Sequence, residues 1–432
     1  MPEIKLTGTK GQHEFVFAEE RMLAFMAGRR YGKTFSFLNR ATRRCLKTDR
    51  FPYWYIAPVY AQAKEQYDRF IGNPALGNFI DRAIMQPYPI IHFINGSTLA
   101  FRTFDRPANL RGSGLGEVFC DEIQSGYSES DFWPVIRPLI SDKRGTLIIA
   151  GQFRGENWYY EQMYLPGQDG PHKRKGYKSW RFPSSDGLVY QSEEGKQELE
   201  LVRQQIPRRV FEVEYECLPI ANEAAVFDHQ DLDRSKRGDI RNSNACSSVV
   251  FGLDLGRVVD PSAQVGIDIT TKEVVFAEKR PLGEKHEIGA KCASDIARRY
   301  GDGTIIVDTT GGATGGRAGS NDAYVKHYQK SCPTMRAFTI NRENKERIIG
   351  NLSLALEQGQ LAIPSAFEDL HKELASYEYK CSSTGILSFQ GPGGHDDDMV
   401  IALALAWEGV LRGWGNSGSS ANLSNIMNSI GG

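Results

Sequence analysis

Short apolar runs alternate with longer amphipathic stretches along the first part of the chain. The runs at 23–26, 54–57, 117–120 and 146–150 have the length of buried strands, and a helical repeat of polar and apolar residues follows the first run. Strands that alternate with helices favour an α/β domain with a parallel, doubly wound sheet. We therefore predict that residues 1–220 fold as one such domain.

A change of composition marks the end of this domain. Residues 221–247 are rich in Asp, Arg, Asn and Ser and poor in periodic apolar residues, so we interpret them as a linker. Residues 248–412 predict a second α/β domain, and residues 413–432 a flexible Gly/Ser/Asn-rich tail. The elements expected in the second domain are strands at 249–253 and 304–307, a strand pair over 265–278, and helices at 343–358 and 399–411.

The composition excludes several classes of protein. Of 432 residues, 40% are apolar and 24% are charged, which is ordinary for a globular chain. No apolar run approaches the roughly 18 residues of a membrane span, and the N-terminus does not resemble a signal peptide. Seven scattered cysteines without a CxxC pair argue against a disulfide framework and a structural zinc site. We expect a protein that is made and used inside a cell.

The net charge of −1 indicates no nucleic-acid partner, so a DNA-binding surface has to be a local patch. One stretch concentrates cations without any acid between them. These cations are Lys173, Arg174, Lys175, Lys178 and Arg181. Such a run is usually a solvated loop, and nucleic-acid binding is the alternative.

A candidate phosphate-binding loop lies between the first predicted strand and the first predicted helix. Residues 27–34 read AGRRYGKT, which matches the GxxxxGK[ST] pattern except that Ala27 replaces the first glycine. Backbone N–H groups of such a loop surround phosphate oxygens, Lys33 would reach the β- and γ-phosphates, and Thr34 would hold Mg²⁺. The candidate ATP-binding residues of the loop are Gly28, Arg29, Arg30, Tyr31, Gly32, Lys33 and Thr34.

Further features distinguish this loop from a chance Gly-Lys-Thr before a helix. The third strand runs into Asp121, which would bind Mg²⁺ through water, and Glu122, which would orient and deprotonate the attacking water. Gln152 follows the fourth strand at the position of a γ-phosphate sensor, and Gln12 lies upstream of the loop, where adenine-reading residues occur. Arg111 is either an arginine finger for a neighbour's ATP or a surface arginine in a glycine-containing loop.

Acidic residues lie at three ends of predicted elements in the second domain. Asp254 and Asp308 end strands, and Asp396, Asp397 and Asp398 precede the last helix. Converging carboxylates repel one another unless a cation neutralises them. Two Mg²⁺ or Mn²⁺ ions, ~3.5–4 Å apart, would do so and would activate water against a phosphodiester. The alternative for the triplet is helix capping, which aspartate favours.

Taken in order, these motifs resemble the large terminase subunit of tailed bacteriophages, and the resemblance covers nearly the whole chain. The matching segments include an arginine-bearing Walker A motif, a finger loop, a Walker B motif and two nuclease motifs. They lie at 28–34, 55–58, 110–112, 119–122, 252–256, 260–263, 351–364 and 395–404. The chain departs from the family at Gln152, where a Ser/Thr-Pro sequence is frequent, and by one extra Asp after His395. Alignment on 399–404 makes Asp397 and Asp398 the family pair, with Asp397 the first choice of ligand.

The resemblance implies a RecA/ASCE-like P-loop ATPase followed by an RNase H-like nuclease. That family packages DNA into an empty capsid and cuts it. The implied cofactors are ATP and Mg²⁺, with Mn²⁺ as a substitute in the nuclease site. The implied partners are double-stranded DNA, the portal protein of the procapsid, the small terminase subunit and further copies of the chain in a ring, with no membrane. The implied location is the host cytoplasm, transiently docked on the procapsid and outside the mature virion.

Two other functions compete with this interpretation. A helicase-nuclease of DNA repair or restriction needs a second RecA-like domain, and about 220 residues before the nuclease leave room for only one. An inactive DNA-binding scaffold would have lost Lys33, Glu122 or the acidic cluster, and all of them are present.

Overall fold

A computed structural model of the chain describes residues 7–112, 114–219, 225–255, 262–281, 286–309, 329, 332–381, 387–390 and 397–415. The chain divides into two compact units, Met1–Asn222 with Lys380–Leu387 and Glu223–Tyr379 with Ser388–Gly432. No helix within the described ranges combines the length and apolar character needed to cross a bilayer.

An eight-stranded sheet forms the centre of the first unit. Its strands are β1 (Met22–Ala27), β2 (Pro52–Ala57), β3 (Ile80–Ile84), β4 (Ile90–Phe93), β5 (Thr98–Thr103), β6 (Glu117–Cys120), β7 (Thr146–Gly151) and β8 (Tyr177–Phe182). They are ordered β3-β4-β5-β2-β6-β7-β1-β8. The strands from β5 to β8 in this order run parallel, which confirms the predicted parallel sheet. The antiparallel edge β3-β4-β5 adds to that prediction.

Helices cover both faces of this sheet. They are α1 (Lys10–Phe17), α2 (Lys33–Lys47), α3 (Tyr60–Ile71), α4 (Glu129–Leu139), α5 (Glu193–Gln205) and α6 (Arg208–Glu214). Successive residues of β1 enter two different cores, with Leu23 and Phe25 in one and Ala24 and Met26 in the other. Because a strand covered on both faces has no solvent-facing side, its sequence is a continuous apolar run instead of an alternating one.

A fully buried ion pair joins three elements of the first unit. Arg40 of α2 donates to both oxygens of Glu117 at the start of β6, over 2.7 and 3.0 Å. Arg40 also donates to the carbonyls of Phe15 and Ala18 at the C-terminal end of α1. Since the carboxylate and these carbonyls together supply acceptors on several sides of the guanidinium, the pair is satisfied despite its burial.

The predicted linker is in part a folded segment of the second unit, so that prediction was wrong for its middle section. Residues His229–Ser235 form a helix, α7, and Val226, Phe227 and Leu232 are buried in the core of the second unit. Three apolar residues within a polar stretch are too few to show a period. They are buried because neighbouring elements of the same unit supply the rest of the core.

A five-stranded sheet forms the centre of the second unit. Its strands are β9 (Val249–Asp254), β10 (Ala263–Asp268), β11 (Glu273–Lys279), β12 (Thr304–Asp308) and β13 (Met335–Phe338), ordered β11-β10-β9-β12-β13. β10 is antiparallel to both neighbours, whereas β9, β12 and β13 are parallel. This is the strand arrangement of an RNase H-like sheet. The other helices of this unit are α8 (His286–Arg299), α9 (Arg342–Glu357), α10 (Glu368–Ser376) and α11 (Asp398–Leu411). Two short strands, β14 (Glu378–Cys381) and β15 (Leu387–Gln390), pair in a separate ribbon.

Helix α11 packs unusually close to β9, and Gly252 makes this approach possible. A Cβ atom at Gly252 would lie 1.8 Å from the carbonyl oxygen of Ala402, so no other residue fits there. Val250 and Ile306, on the same face of the sheet, belong to the core cluster that includes α11. Side chains alternate along a strand, so Asp254, two residues after Gly252, projects to this face as well.

Candidate functional site

The phosphate-binding loop connects β1 to α2 as predicted. Ala27 is the last residue of β1, and alanine needs no special backbone conformation there. Gly32 has a φ of +107°, and a Cβ atom on it would lie 2.4 Å from the side-chain nitrogen of Gln12. Lys33 begins α2, and its ammonium donates to the Ala27 carbonyl over 2.9 Å, across the loop. The helix N-terminus and the ammonium together suit phosphate oxygens, and Thr34 follows in the first turn.

Gln12 is committed to the loop itself. Its side chain is buried, donates to the Tyr31 carbonyl over 2.9 Å and accepts from the Thr9 N–H over 2.8 Å. The Tyr31 ring is also buried and stacks on Phe182 with a centroid separation of 4.7 Å. Burial raises the pKa of Tyr31 to about 12. The Gln12 side chain therefore stabilises the loop through its hydrogen bond to the Tyr31 carbonyl. Recognition of adenine by Gln12 stays a prediction.

Asp121 and Glu122 follow β6 directly. The Tyr55 hydroxyl donates to Asp121 over 2.7 Å, and Glu122 has a left-handed backbone conformation with a φ of +49°. Burial and the charge of Glu122 raise the pKa of Asp121 to about 6, against the opposing influence of Tyr55 and Lys33. The two carboxylates and the Lys33 ammonium thus belong to one electrostatic site. A cation beside Asp121 would relieve the cost of its buried charge.

A chain of amide contacts leads from Glu122 to the strand beside it. The Gln124 side chain donates to the Glu122 carboxylate and accepts from the Gln152 backbone N–H over 3.1 Å. The Gln152 side chain donates to the Glu214 carbonyl over 2.7 Å. Gln152 therefore follows β7, as the sequence predicted. Its side-chain amide, however, is hydrogen-bonded to Glu214, the last residue of α6.

Glu214 is a functional candidate that the sequence analysis missed. One of its oxygens accepts from Arg29 of the loop and the other from Arg154, each over 2.7 Å. Its carbonyl accepts from the Arg29 N–H over 2.8 Å. Glu214 is 6% exposed, whereas Arg30 of the loop is exposed and has a φ of +61°. A single acid in α6 thus connects the loop with the segment after β7, and no motif marks it.

Arg111 is exposed and lies directly after a turn at Pro107–Leu110. Arg102 fixes that turn, since it donates to the Asn109 carbonyl over 2.8 Å and stacks on Tyr88 at 3.8 Å from the ring centre. Exposure is what an arginine used by another chain requires, and it is equally compatible with a surface role.

Three side chains of the predicted basic run make contacts within the first unit. Lys173 donates to the Gly167 carbonyl over 3.0 Å, and Arg181 donates to the Glu216 carbonyl over 2.9 Å. The Lys178 ammonium lies over the Trp180 ring. Of the five cations, these three are engaged within the first unit.

In the second unit, Asp254 and Asp308 lie at the same edge of the sheet. β9 and β12 are parallel, and Val307 is opposite Leu253 in the register, so the two aspartates are also opposite each other. Adjacent strands are ~4.8 Å apart, so the two side chains leave neighbouring positions on one face. The structure therefore brings together two of the carboxylates that the sequence predicted to converge.

The first turn of α11 supplies the other two carboxylates. Asp397 lies at the N-cap position but makes no capping hydrogen bond through its side chain. Instead, its carboxylate accepts from the Lys345 ammonium over 3.1 Å. Asp398 is 6% exposed and lies 3.2 Å from the Lys279 ammonium. Capping by the Asp397 side chain, the alternative considered above, is not what the structure shows.

The four aspartates share one electrostatic region. Burial raises the pKa of Asp254 well above its usual range, and the charges of Asp308, Asp398 and Asp397 raise it further. Burial also raises the pKa of Asp398 to about 6, opposed by Lys279. Within the described ranges, no three acidic, histidine or cysteine side chains already form a complete ligand set. Oxygen donors of this kind suit Mg²⁺ or Mn²⁺. Asp396, His395 and the glycine-rich loop 311–320 lie outside the described residues.

Fold and site define the class of the protein: a P-loop unit joined to an RNase H-like unit with aspartates at one edge of its sheet. Residues 24–234 match the family model described as terminase large subunit, T4likevirus-type, N-terminal. The chain is 25% identical to the terminase large subunit of Thermus virus P23-45 and 24% identical to that of Thermus phage G20c. Each alignment covers 82% of this chain and 77% of the relative. Residues 24–234 of this chain thus resemble the N-terminal domain of large terminases.

Solved structures agree on the fold. The large terminase of a thermophilic bacteriophage has a TM-score of 0.58 at 15% identity, over 92% of this chain and 98% of that one. The same terminase in complex with ADP has a TM-score of 0.55. The similarity spans both units, so the chain has the two-unit architecture of a large terminase.

Proposed function

We propose that the chain is a viral DNA-packaging motor that hydrolyses ATP to translocate double-stranded DNA into a procapsid and cleaves the concatemeric genome with a two-metal endonuclease. One observation carries the proposal: a P-loop beside Asp121 and Glu122 and an acidic edge around Asp254 occur in separate units of one chain. Similarity to large terminases supports the combination.

In the first unit, ATP binds with its phosphates at residues 28–34, and Lys33 neutralises the β- and γ-phosphates. Thr34 and Asp121 would hold the Mg²⁺ that accompanies the nucleotide, and this ion would supply charge neutralisation on the phosphates. Glu122 accepts a proton from the attacking water while its hydrogen bond with Gln124 orients its carboxylate. The complex of the similar terminase with ADP supports nucleotide binding by this chain.

The contacts around Glu122 also supply a route for coupling. Gln124 connects Glu122 with Gln152, and Gln152 connects with Glu214 at the end of α6. A change in the charge around Glu122 therefore reaches α6 through side chains that are in contact.

Arg111 acts on the ATP of a neighbouring copy in a ring.

In the second unit, Asp254, Asp308 and Asp397, together with Asp398, would hold two Mg²⁺ ions, for which Mn²⁺ would substitute. Two bound ions would supply activation of water against the phosphodiester and charge neutralisation on its leaving oxygen. The aspartates would hold these cations at the edge of the sheet where β9 and β12 end. The proposed partners are double-stranded DNA, the portal protein of the procapsid, the small terminase subunit and further copies of the chain. The proposed location is the host cytoplasm, transiently at the procapsid.

The deciding experiment measures ATP turnover of the purified chain alone, with double-stranded DNA, and with DNA and empty portal-bearing capsids. We expect turnover to rise at each addition and DNA to become nuclease-protected inside capsids. A forked DNA substrate serves as the control. ATP-dependent strand separation of the fork, without capsid stimulation, would favour a helicase-nuclease instead.

A further inference from the structure

A carboxylate from another helix holds the N-terminal end of α11. Glu373 of α10 accepts from the Met399 backbone N–H over 2.9 Å with one oxygen and contacts the Lys279 ammonium over 2.6 Å with the other. Lys279, the last residue of β11, also lies 3.2 Å from Asp398. Contacts therefore link Glu373 to Lys279 and Lys279 to Asp398. Asp398 and Met399, which Glu373 also contacts, both belong to the first turn of α11.

This arrangement replaces ordinary capping. Asp397 occupies the N-cap position without capping, and Glu373 satisfies the Met399 N–H in its place. The Asp397 carboxylate is thereby left to face Lys345 and the region of Asp254. Both Glu373 and Asp398 are less than 10% exposed. Buried, charge-assisted contacts of this kind are strong and directional.

We propose that Glu373 and Lys279 are positioning residues of the nuclease site. Glu373 sets the position of the first turn of α11, and Lys279 orients the Asp398 carboxylate, so the pair determines how Asp397 and Asp398 stand relative to the two strand-end aspartates. The inference rests on the proposed nuclease function. Residues that orient metal ligands in this way typically change metal affinity ~10–100-fold when they are removed.

The alternative is that Lys279 only balances charge, and the two roles predict opposite signs. A lysine that merely neutralises acids competes with a metal ion, so its removal would make the site more negative and tighten metal binding. A lysine that orients Asp398 improves the ligand geometry, so its removal would weaken metal binding. The substitution Lys279→Met keeps most of the aliphatic side chain and separates the two roles.

The test titrates Mn²⁺ into the full, nucleotide-free chain by calorimetry, and an Asp254→Asn chain identifies the heat that belongs to this site. We expect Lys279→Met and Glu373→Gln to bind Mn²⁺ about 10–100-fold more weakly than the unmodified chain. We expect Lys279→Arg to recover most of that loss. Lys372→Met and Glu368→Gln are matched controls, because both residues are exposed on the same helix, α10, and should leave Mn²⁺ affinity unchanged.

Thermal unfolding in chelator shows whether each variant is folded. If the Glu373→Gln variant is unfolded, the Mn²⁺ affinity of Lys279→Met tests the proposal by itself. Unchanged or tighter Mn²⁺ binding by Lys279→Met would overturn the positioning role and leave the nuclease proposal intact. An unmodified chain that binds no Mn²⁺ would instead overturn the nuclease site itself, and the positioning role with it.

Discussion

Arg29 of the phosphate-binding loop donates to the Glu214 carboxylate over 2.7 Å, although 185 positions separate the two residues. Arg154, after β7, occupies the other oxygen of the same carboxylate. The loop that would receive ATP is therefore attached to α6 by a charge-assisted contact. A movement of α6 would therefore act on the loop through Arg29.

Glu214→Gln should lower ATP turnover about tenfold or more, since a hydrogen bond to a charged group contributes ~1.5–3 kcal/mol. Steady-state ATP hydrolysis by the purified chain measures this, and fluorescent-nucleotide binding should change much less. Glu212→Gln, in the same helix but partly exposed, is the matched control. Equal turnover in the two variants would remove Glu214 from the coupling route.

Lys33→Ala and Glu122→Gln should abolish ATP turnover while metal-dependent cutting of naked DNA stays largely intact. The reason is that both residues lie in the first unit, whereas the acidic edge lies in the second. A phosphate-release assay and a plasmid-nicking assay on the same preparations measure both activities. Normal hydrolysis in either variant would contradict the assigned roles.

Arg111→Ala should bind ATP normally and fail to hydrolyse it, since its exposed position suits action on a neighbouring chain. Mixing this variant with Lys33→Ala chains should restore part of the turnover, because each supplies what the other lacks. The mixture is assayed at several ratios after mixed assemblies are shown to form. Absence of rescue at every ratio would count against action in trans.

Asp→Asn changes at Asp254, Asp308 and Asp397 should each stop DNA cutting and leave ATP turnover unchanged, because the shape is retained and one ligand charge is lost. Cutting should need Mg²⁺ or Mn²⁺ and stop with chelator, and Ca²⁺ should support little chemistry because its coordination is looser. Asp295→Asn, on the exposed surface of α8, is the control. Diffraction from Mn²⁺-soaked crystals, with no metal shared by Asp254 and Asp308, would refute the site.

Arg40→Met should destabilise the first unit by about 3–5 kcal/mol, because it removes the two-point partner of the fully buried Glu117 and leaves this carboxylate with the longer contact to Arg44 over 3.2 Å. Arg69→Met breaks an exposed pair on α3 and should cost less than about 1 kcal/mol. Denaturant unfolding followed by tryptophan fluorescence compares the two. Similar midpoints would show that the Arg40 pair contributes little to folding.

The positions of several strands, and of the residues at their ends, were predictable from the sequence, whereas β3, β4, β5, β8 and β13 were not predicted. β1, β6, β9 and β12 appear as apolar runs that end at a glycine-rich loop or at an acid, because buried strands need continuous apolar residues and polar groups collect where they end. The prediction of a linker was wrong for its middle section because the apolar residues there form no continuous run. Val226, Phe227 and Leu232 show no period, and only the core of the second unit explains their burial.

The sequence by itself determined the two-unit α/β organisation, the phosphate-binding loop and the acids at the ends of β6, β9 and β12, since each depends on residues that are neighbours along the chain. Only the tertiary structure decided which side chains from distant segments contact the phosphate-binding loop and the acidic site. Glu214 reaches Arg29 from α6, and Glu373 reaches Met399 from α10. Such partners are buried acids without a motif around them. Their roles follow from distances between remote segments, and these distances exist only once the sheets and helices have packed.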